Sequence, residues 1–474
     1  MDQKEQSRKL GEEPIGKLLL RMSIPAIIGM LVMSLYNIVD TIFISYFVGV
    51  EGVAGVTFAF PLMIIMMAVA ATLGIGGSSL ISRRLGEGRE KEANLVFGNI
   101  LTIVLITGVL GVIAAFTVLE PTLRLFGATD GIMGYATEYI FPITLATVLF
   151  TFGFSTNAII RSEGNARFAM ITMIIPSVLN ILLDPVFIVW LDMGVQGAAV
   201  ATVISQAVTA VVTLGYFLRG HSSLLISKAF MTLQLRVVKE IFVIGMPAFA
   251  RQVSASVMMV AINAMLIRYG GEFYVGVFGI VQRVSMFALM PMMGILQGMQ
   301  PLIGYNYGAK QMARFRETIR LGLKVVTIFS AGVFVVMMVM PELLMRIFSQ
   351  DPAVISAGSE GMRIVFAMAV LIGAQVVSGG IYQAIGHARP ALILSLARQV
   401  LFLIPLVLIM PPYIGVLGVW LAFPLADILA FSLSAYLLYR DRKLFFYGDP
   451  PEKPEDGSMM PFEEKEVEKS LQNV

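Results

Sequence analysis

The sequence predicts an all-α membrane protein with twelve transmembrane helices in two six-helix lobes. Three observations support this fold class: the composition, a series of apolar runs of membrane length, and an internal repeat. The chain has 474 residues, of which 57% are hydrophobic and only 14% are charged. A soluble domain has about a quarter of its residues charged, so this composition indicates a chain that crosses the membrane many times.

The apolar runs give the individual elements. About 20 apolar residues are needed for a helix to cross a bilayer, and polar residues, glycines and prolines separate runs of this length. These runs predict spans near 24–48, 54–81, 95–119, 133–160, 168–190, 195–218, 238–268, 273–303, 320–340, 360–384, 390–411 and 415–439. Residues before Ile24 are polar, with no apolar region followed by a cleavage site, so we expect no removable signal peptide.

The lysines and arginines predict the orientation. If the N-terminus and every second loop lie on one side, that side has twenty-four of the 34 basic residues. The opposite side has four, Arg124, Arg268, Arg346 and Arg363. Because positive loops face the cytoplasm, we expect both termini to be cytoplasmic in the inner (plasma) membrane. Residues 305–319, which mix basic and apolar residues at helical spacing, predict an amphipathic helix on the same surface.

An internal repeat becomes visible when the chain is aligned with itself at an offset of about 222 residues. Arg124-Leu-Phe then aligns with Arg346-Ile-Phe, and Gly164-Asn-Ala-Arg with Gly386-His-Ala-Arg. Six spans repeat as six, so both halves begin on the same side and are related by an axis along the membrane normal, as in the parallel type of transporter repeat. The predicted domains are a cytoplasmic segment at 1–23, an N-lobe at 24–218, a linker at 219–237, a C-lobe at 238–440 and a tail at 441–474, disordered toward its end.

Two carboxylates in the N-lobe spans are the first candidates for a functional site. Asp40 lies inside the first span and Asp184 inside the fifth. An acid at the centre of a membrane helix costs about 2.5–3.5 kcal/mol on insertion scales, so it usually serves an ion, a proton or a substrate. The alternative is an acid that only hydrogen-bonds a neighbouring helix.

Further polar residues share helix faces with these acids, because residues three and four positions apart are neighbours on a helix. We expect them to form one buried polar pocket with two carboxylates. The candidates beside the acids are Tyr36 and Asn37 on the first span, Thr156 and Asn157 on the fourth, Asn180 on the fifth, and Thr202 and Gln206 on the sixth.

The repeat separates function from scaffold at these positions. The C-lobe residues aligned with Asp40, Asn180 and Asp184 are Ile262, Phe402 and Leu406. If the acids were needed only for the scaffold, the matching scaffold would need similar residues. We therefore interpret the acidic site as a function of the N-lobe alone.

The chemistry of the pair predicts cation binding. Burial and like charge both disfavour a doubly ionised pair, so a bound H⁺ or Na⁺ would relieve the repulsion. Oxygens of Asn157, Asn180 and Thr202 could complete a sodium shell or hydrogen-bond a protonated acid, and the residues leave both ions open. Pro25 frees a backbone carbonyl in the first span and is either a hinge or a static kink.

The C-lobe has a different set of polar residues within its spans. Gln252, Gln282, Gln297 and Gln375 are the candidates for a substrate cavity. Arg251, Arg283 and Arg398 either line that cavity or are paired, with Asp427 or with backbone carbonyls. The abundance of methionine, 31 residues, suits a cavity that accepts varied apolar ligands, although most methionines can be packed or face lipid.

At these residues the chain resembles the multidrug and toxic compound extrusion (MATE) family, over residues 15–445. The resemblance is carried by the two six-span halves, Pro25, Asp40, the motif Arg83-Arg-Leu-Gly-Glu-Gly88, Asn180 and Asp184-Pro185. The chain is most similar to the DinF-type branch, in which an N-lobe site takes the coupling ion. The residues that fall on that pattern are Asp40, Asn157, Asn180, Asp184 and Thr202, with Tyr139 at a neighbouring cavity position. The NorM-type branch has acids on its seventh and tenth spans, where this chain has Arg251, Gln252 and Gln375.

The resemblance implies a cation-coupled antiporter. H⁺ or Na⁺ would enter down its gradient while an amphipathic, often cationic, drug leaves by alternating access. Protonation at Asp40 and Asp184 would bend the first span at Pro25, shrink the N-lobe cavity and expel the substrate.

Other functions remain as alternatives. The first is a lipid or lipid-linked sugar flippase of the same broad superfamily, which usually needs a strongly basic cavity. The second is a passive channel or a subunit of an energy-transducing complex. An enzyme is disfavoured because the sequence has no credible set of nucleophile, base and metal ligands, with no cysteine and 2 histidines. We expect small amphipathic drug-like substrates, a lipid bilayer around a monomer, no cofactor, and no nucleic acid, since the net charge is only +3.

Overall fold

The protein is helical throughout the part of the chain that the structure describes. The structure, a computed structural model, describes residues 3–126 and 128–447, and the side chains of residues 3–7, 37, 41, 50 and 51 lie outside that description. Within these ranges the chain forms helices joined by turns and contains no β-strand. The predicted tail at 441–474 lies outside the described residues from residue 448 onward.

Twelve spans of membrane length follow one another along the described part of the chain, two of them built from a bent pair of helices. Spans 1 to 6 are Ile15–Phe47, Val50–Gly86, Glu90–Thr117, Asp130–Leu145 with Thr147–Ser162, Ala166–Trp190, and Gly194–Leu218. Spans 7 to 12 are 235–270, 272–308, Met312–Val339, Pro352–Val365 with Ala369–Ala384, Ala388–Ile414, and Val416–Arg440. Each predicted span is matched by one of these helices, so the predicted all-α fold class with twelve transmembrane helices is confirmed.

The breaks between and within spans have local causes. Spans 7 and 8 form one continuous helical run except at Gly271, where φ is 72°, a backbone conformation that glycine adopts without steric cost. Span 4 bends by 59° between its two helices and span 10 by 53°. These bends occupy equivalent positions in the two halves, which supports the sequence repeat.

The turn between spans 8 and 9 corrects one prediction, and several short helices lie outside the spans. Residues 305–319 do not form a separate amphipathic helix. Span 8 continues to Gly308, a turn follows with Lys310 at φ 57°, and span 9 begins at Met312. The short helices are Gln3–Glu12, Leu119–Leu125, Lys228–Phe230, Pro341–Arg346 and Arg442–Phe445.

The contacts between residues divide the described chain into two compact units. Unit 1 contains residues 3–12 and 28–245, and unit 2 contains residues 13–27 and 246–447. One boundary falls inside span 1 after Ile27, and the other inside span 7 after Gly245. Each of these two residues is two positions from a proline, Pro25 or Pro247. The beginning of each half therefore packs with helices of the opposite half.

In unit 1, span 2 packs against the beginning of span 7 with the two helix backbones in direct contact. A methyl group at Gly76 would lie 2.2 Å from the carbonyl oxygen of Ile241, and one at Gly245 would lie 2.2 Å from that of Thr72. Close helix contacts of this kind are typical of small residues in membrane helices. The contact therefore requires glycine on both helices.

An ion-pair network continues the same contact beyond the end of span 2. Arg84, which is 2% exposed, lies with its Nε 3.1 Å from Glu92 and its Nη1 2.9 Å from Glu87. Its Nη2 lies 4.0 Å from Glu240 on span 7. The network thus joins spans 2, 3 and 7.

Unit 2 makes the matching contacts with the beginning of span 1. A methyl group at Gly298 of span 8 would lie 2.3 Å from the hydroxyl oxygen of Ser23. Arg314 donates from Nε to Asn306 at 3.1 Å and from Nη2 to the carbonyl oxygen of Glu13 at 2.6 Å. Gly298 and Arg314 are the repeat partners of Gly76 and Glu92. Each half therefore binds the beginning of the other half's first helix at equivalent positions, although the side chains at those positions differ.

Candidate functional site

Asp40 and Asp184 are buried within unit 1. Asp40, on span 1, is 9% exposed, and Asp184, on span 5, is fully buried at 0%. The two carboxylates are close enough to interact electrostatically. The structure therefore brings together the two acids that the sequence singled out.

The local sequence explains the position of Asp184. It is the last residue of the α-helical part of span 5, and Pro185–Trp190 continues as π-helix. Proline has no N–H to donate to the preceding turn, and π-helical segments occur frequently at functional sites. The proline thus changes the helix geometry directly after the acid.

Asn180 connects Asp184 to span 6. With its amide oriented so that both ends are satisfied, Asn180 donates to Asp184 Oδ2 at 3.3 Å and accepts from the Thr202 hydroxyl at 3.2 Å. Asn180 is 2% exposed. Three of the predicted ion-site residues, Asp184, Asn180 and Thr202, therefore form one hydrogen-bonded chain.

Two tyrosines complete the surroundings of the acids. Tyr36 lies one helical turn before Asp40 on span 1, and Tyr139 is buried on span 4. Both phenols lie within electrostatic range of Asp40 and Asp184. A phenol can donate a hydrogen bond to a carboxylate or accept one from a ligand, so this cluster offers both functions.

One oxygen of each carboxylate has no partner among the described residues. Asp40 Oδ1 and Asp184 Oδ1 are buried and accept no hydrogen bond. An unsatisfied buried polar atom costs about 1–3 kcal/mol, and more when it is charged. A proton or a small cation would remove this cost at both oxygens.

Asn157 lies apart from this chain of hydrogen bonds. Its amide nitrogen donates to the Ala169 carbonyl at 2.6 Å and to the Thr172 hydroxyl at 2.8 Å, while its oxygen accepts from Arg161. Within the described residues it forms no hydrogen bond with either acid. Asn157 therefore connects span 4 to the beginning of span 5 by hydrogen bonds. Its half-buried neighbour Arg161, at i+4, is the residue in the sequence that could have indicated this role.

The remaining candidates divide between the two units. In unit 1, Gln206 lies beside Gly153 of span 4, where a methyl group would be 3.5 Å from its side-chain oxygen. Asn37 lies on span 1, but its side chain is outside the described part of the structure. In unit 2, Gln375 is buried, and the half-buried residues are Gln252, Gln282 and Gln297. Pro25 belongs to unit 2, on the opposite side of the boundary in span 1 from Asp40.

A second polar cluster, at the end of the spans near the linker, was not predicted from the sequence. Glu163 Oε1 accepts hydrogen bonds from the Ser222 hydroxyl at 2.6 Å, the Ser223 hydroxyl at 2.7 Å and the Ser223 N–H at 2.8 Å. Burial raises the pKa of Glu163, and these hydrogen bonds offset only part of that rise. Glu163 directly follows span 4, and the only sequence signal was the run of serines in the linker.

Comparison with known proteins supports the family resemblance. The MatE family model matches residues 25–186 and 247–409, the equivalent part of each half. The multidrug export protein MepA of Staphylococcus saprophyticus is 28% identical over 441 residues, which cover 92% of this chain and 97% of MepA. MepA of Staphylococcus haemolyticus is 26% identical over 428 residues, with 90% and 94% covered.

Solved structures share the whole fold. The structure of the MATE multidrug transporter DinF-BH, solved as a complex with a ligand, is 60% identical in sequence, with a TM-score of 0.87, and the match covers 93% of this chain and 99% of that one. An outward-facing multidrug resistance MATE family transporter of the MOP superfamily is 29% identical, with a TM-score of 0.86 and 92% and 97% covered.

The family model therefore matches most of both halves, and the similarity to solved transporters extends over nearly the full length of the chain. The resemblance found in the sequence is confirmed: the chain belongs to the MatE family of membrane transporters.

Proposed function

We propose that this transporter exports amphipathic, often cationic, drug-like compounds in exchange for H⁺ or Na⁺. The observation that carries the proposal is the pair of buried acids, Asp40 and Asp184, each with one oxygen that lacks a protein partner among the described residues. The export of drugs is supported by the relatives, which are described as multidrug export proteins and multidrug transporters.

The acids provide the coupling in this proposal. When both are ionised, their repulsion and the missing hydrogen bonds favour uptake of a cation. Asn180 and Thr202 supply further oxygens within the same chain of hydrogen bonds, so either a proton or a sodium ion has suitable ligands. Binding of the ion changes the charge beside Pro185, where span 5 is already π-helical.

A conformational step completes the mechanism. We place the change of shape in span 1, because Pro25 and Asp40 of this helix belong to different units. A change of charge at Asp40 then acts on a helix that connects two separately packed bodies. Alternating access needs a helix of this kind, since the ion site must influence which side of the membrane is open.

The membrane context belongs to the same proposal. We place the protein as a monomer in the plasma membrane with both termini in the cytoplasm, because the lysines and arginines concentrate in the loops of one side. The transport cycle needs no bound cofactor beyond the coupling ion.

Efflux from vesicles tests the coupling. Asp40→Asn and Asp184→Asn, at expression equal to the unaltered protein, should each abolish drug efflux driven by an imposed pH or sodium gradient. Glu138→Gln, which alters an exposed acid on span 4, should leave efflux unchanged. Imposing the two gradients separately identifies the ion. Undiminished gradient-driven efflux in both aspartate variants would contradict the mechanism.

A further inference from the structure

A buried ion pair in unit 2 has no part in the mechanism described so far. Arg398 Nε donates to Asp427 Oδ1 at 2.6 Å. The Asp427 side chain is 0% exposed, whereas that of Arg398 is 21% exposed. Arg398 lies on span 11 and Asp427 on span 12. Each is about ten residues, or roughly 15 Å, from the nearer end of its span, which is the middle of the membrane.

Stability alone gives little reason for such a pair. Replacing a buried ion pair by apolar residues of similar volume is often neutral or even stabilising. Ionisable residues inside a membrane protein are therefore candidates for a functional site. Arg398 also lies on a π-helical segment, Ala397–Leu403, as Pro185 does beside the acids of unit 1.

Two acceptor oxygens in this region remain without a donor among the described residues. They are Asp427 Oδ2 and Gln375 Oε1, on residues that are 1% and 5% exposed as a whole. The Nη atoms of Arg398 are not among the buried unsatisfied atoms of the described residues, and part of its side chain is accessible. The pair therefore combines a neutralised charge, one unused acceptor on Asp427 and a partly exposed arginine.

The repeat predicts that Gln375 lies near Asp427. Gln375 aligns with Gly153 at an offset of 222, and Asp427 aligns with Gln206 at the offset of 221 that holds for spans 6 and 12. In unit 1, Gly153 and Gln206 are neighbours, since a methyl group on Gly153 would lie 3.5 Å from Gln206 Oε1. Spans 10 and 12 pack directly on each other, so we expect the equivalent positions in unit 2 to be neighbours as well.

We propose that Arg398, Asp427 and Gln375 form a second recognition site, which binds an uncharged hydrogen-bond-donating group of the transported compound. Amino, amide and hydroxyl groups are of this class. The inference rests on the proposed function and adds the substrate chemistry to it. Asp40 and Asp184 bind the coupling ion, whereas this charge-balanced site binds polar substituents of the substrate. A buried acceptor without a donor is costly, so a ligand that supplies the donor gains affinity.

Two cationic probes distinguish this role from simple charge attraction. Ethidium is a permanent cation with two aromatic amino groups, and tetraphenylphosphonium is a permanent cation without any N–H or O–H. Equilibrium binding of each probe is measured with purified protein in lipid nanodiscs at one pH. The variants are Gln375→Leu and the double change Arg398→Met with Asp427→Leu, which removes both charges together.

We expect both variants to bind ethidium about tenfold more weakly and to bind tetraphenylphosphonium within twofold of the unaltered protein. Ser434→Ala is the matched control, because Ser434 is buried on the same span and its hydroxyl donates to the Ala430 carbonyl. It should bind both probes normally.

Each outcome decides between explanations. Equal affinity of the variants for ethidium, or an equal loss for both probes, would overturn the recognition site and leave a structural ion pair. If the double variant fails to fold, Gln375→Leu decides alone, since it removes no charge. Failure of the unaltered protein to bind either probe would instead overturn the proposed drug export, and with it this inference.

Discussion

Asp184 is a fully buried side chain that still has a carboxylate oxygen available to a proton or a cation. One of its oxygens is hydrogen-bonded by Asn180, while the other has no partner among the described residues. Such an atom costs free energy unless a proton or cation binds to it. The residue that holds the first oxygen, Asn180, should therefore matter to ion coupling.

The two candidate asparagines predict different defects. Asn180→Ala removes the donor to Asp184, so we expect gradient-driven efflux to fall about tenfold, the equivalent of about 1.4 kcal/mol. Asn157→Ala removes hydrogen bonds to Ala169, Thr172 and Arg161, so we expect a loss of about 1–3 kcal/mol in stability. Its efflux per folded molecule should stay within twofold.

Thermal unfolding and vesicle efflux, measured on the same preparations, check both expectations. The division of roles would be wrong if Asn157→Ala lost coupling while Asn180→Ala kept it.

At the same scale, the sequence predicted some residues better than others. Asp40, Asn180 and Asp184 could be identified because acids and amides are rare in apolar runs and because their repeat partners are apolar. The hydrogen-bond partners of Asn157 could not be predicted, since helix periodicity gives a face but not which of several neighbours a short amide reaches. The pairing of Arg398 with Asp427 was one of several alternatives that the sequence left open for the three arginines, and the unused oxygen of Asp427 depends on packing that only the structure supplies.

At the level of the helices, the close packing of span 2 against span 7 leaves no room for one additional methyl group. Because a methyl group at Gly76 would overlap the Ile241 carbonyl, Gly76→Ala should separate the helices and cost about 1–3 kcal/mol of stability, as overpacking does. Gly215→Ala is the matched control, since a methyl group there meets nothing within 4 Å. Removing a helical glycine at an open site should stabilise by up to about 1 kcal/mol.

Thermal unfolding of the two variants in one detergent compares them directly. Equal stability of both would show that spans 2 and 7 can separate without cost.

Within unit 1, the linker between the halves is fixed by side chains of span 3 and by Glu163, which follows span 4. Asn94 accepts from the Leu225 N–H at 2.7 Å, Asn99 accepts from the Gln234 N–H at 2.8 Å, and Glu163 binds the two serines before them. The sequence predicted a linker at 219–237 from its polar character. Its docking could not be predicted, because the partners lie 60 to 135 residues away along the chain.

Glu163 makes this docking sensitive to pH. Its pKa in the folded protein is raised, chiefly by burial, so the folded state binds more protons than the unfolded state between the ordinary and the raised value. The stability that Glu163 contributes through this shift is therefore fully present below the ordinary glutamate pKa and is lost as the pH rises through the raised one. Glu163→Gln should lack this part of the fall.

Melting temperatures between pH 4 and pH 8 measure the effect. Glu317→Gln, which changes an exposed acid of span 9, should retain the pH dependence of the unaltered protein. The same slope in Glu163→Gln would mean that another group is responsible.

For the whole molecule, the division into units predicts which distances change during transport. The chain has no cysteine, so introduced cysteines can carry spin labels without further changes. Labels at Arg219→Cys and Glu90→Cys both lie in unit 1, whereas Glu317→Cys lies in unit 2. We expect the distance from 219 to 317 to change with the pH or sodium gradient conditions that drive efflux, and the distance from 219 to 90 to stay constant.

Pulsed electron spin resonance measures both distances. A change within unit 1 as large as that between the units would contradict movement as two bodies. The sequence predicted two lobes joined by a linker at 219–237, and that division stays a prediction beside the two compact units. The observed boundaries lie inside spans 1 and 7, because Gly76 and Gly298 bring the beginning of each half against the opposite one.

The packing of the beginning of span 1 within unit 2 has a consequence for biosynthesis. Residues 13–27 are translated early, but the packing partners that complete unit 2 begin at residue 246, about 220 residues later. At about 5–20 residues per second, the ribosome needs on the order of 10–40 s to supply them. During that interval the amino-terminal turns of the nascent chain must stay inserted without their final neighbours, so a polypeptide truncated before span 8 would leave this segment accessible to quality-control proteases.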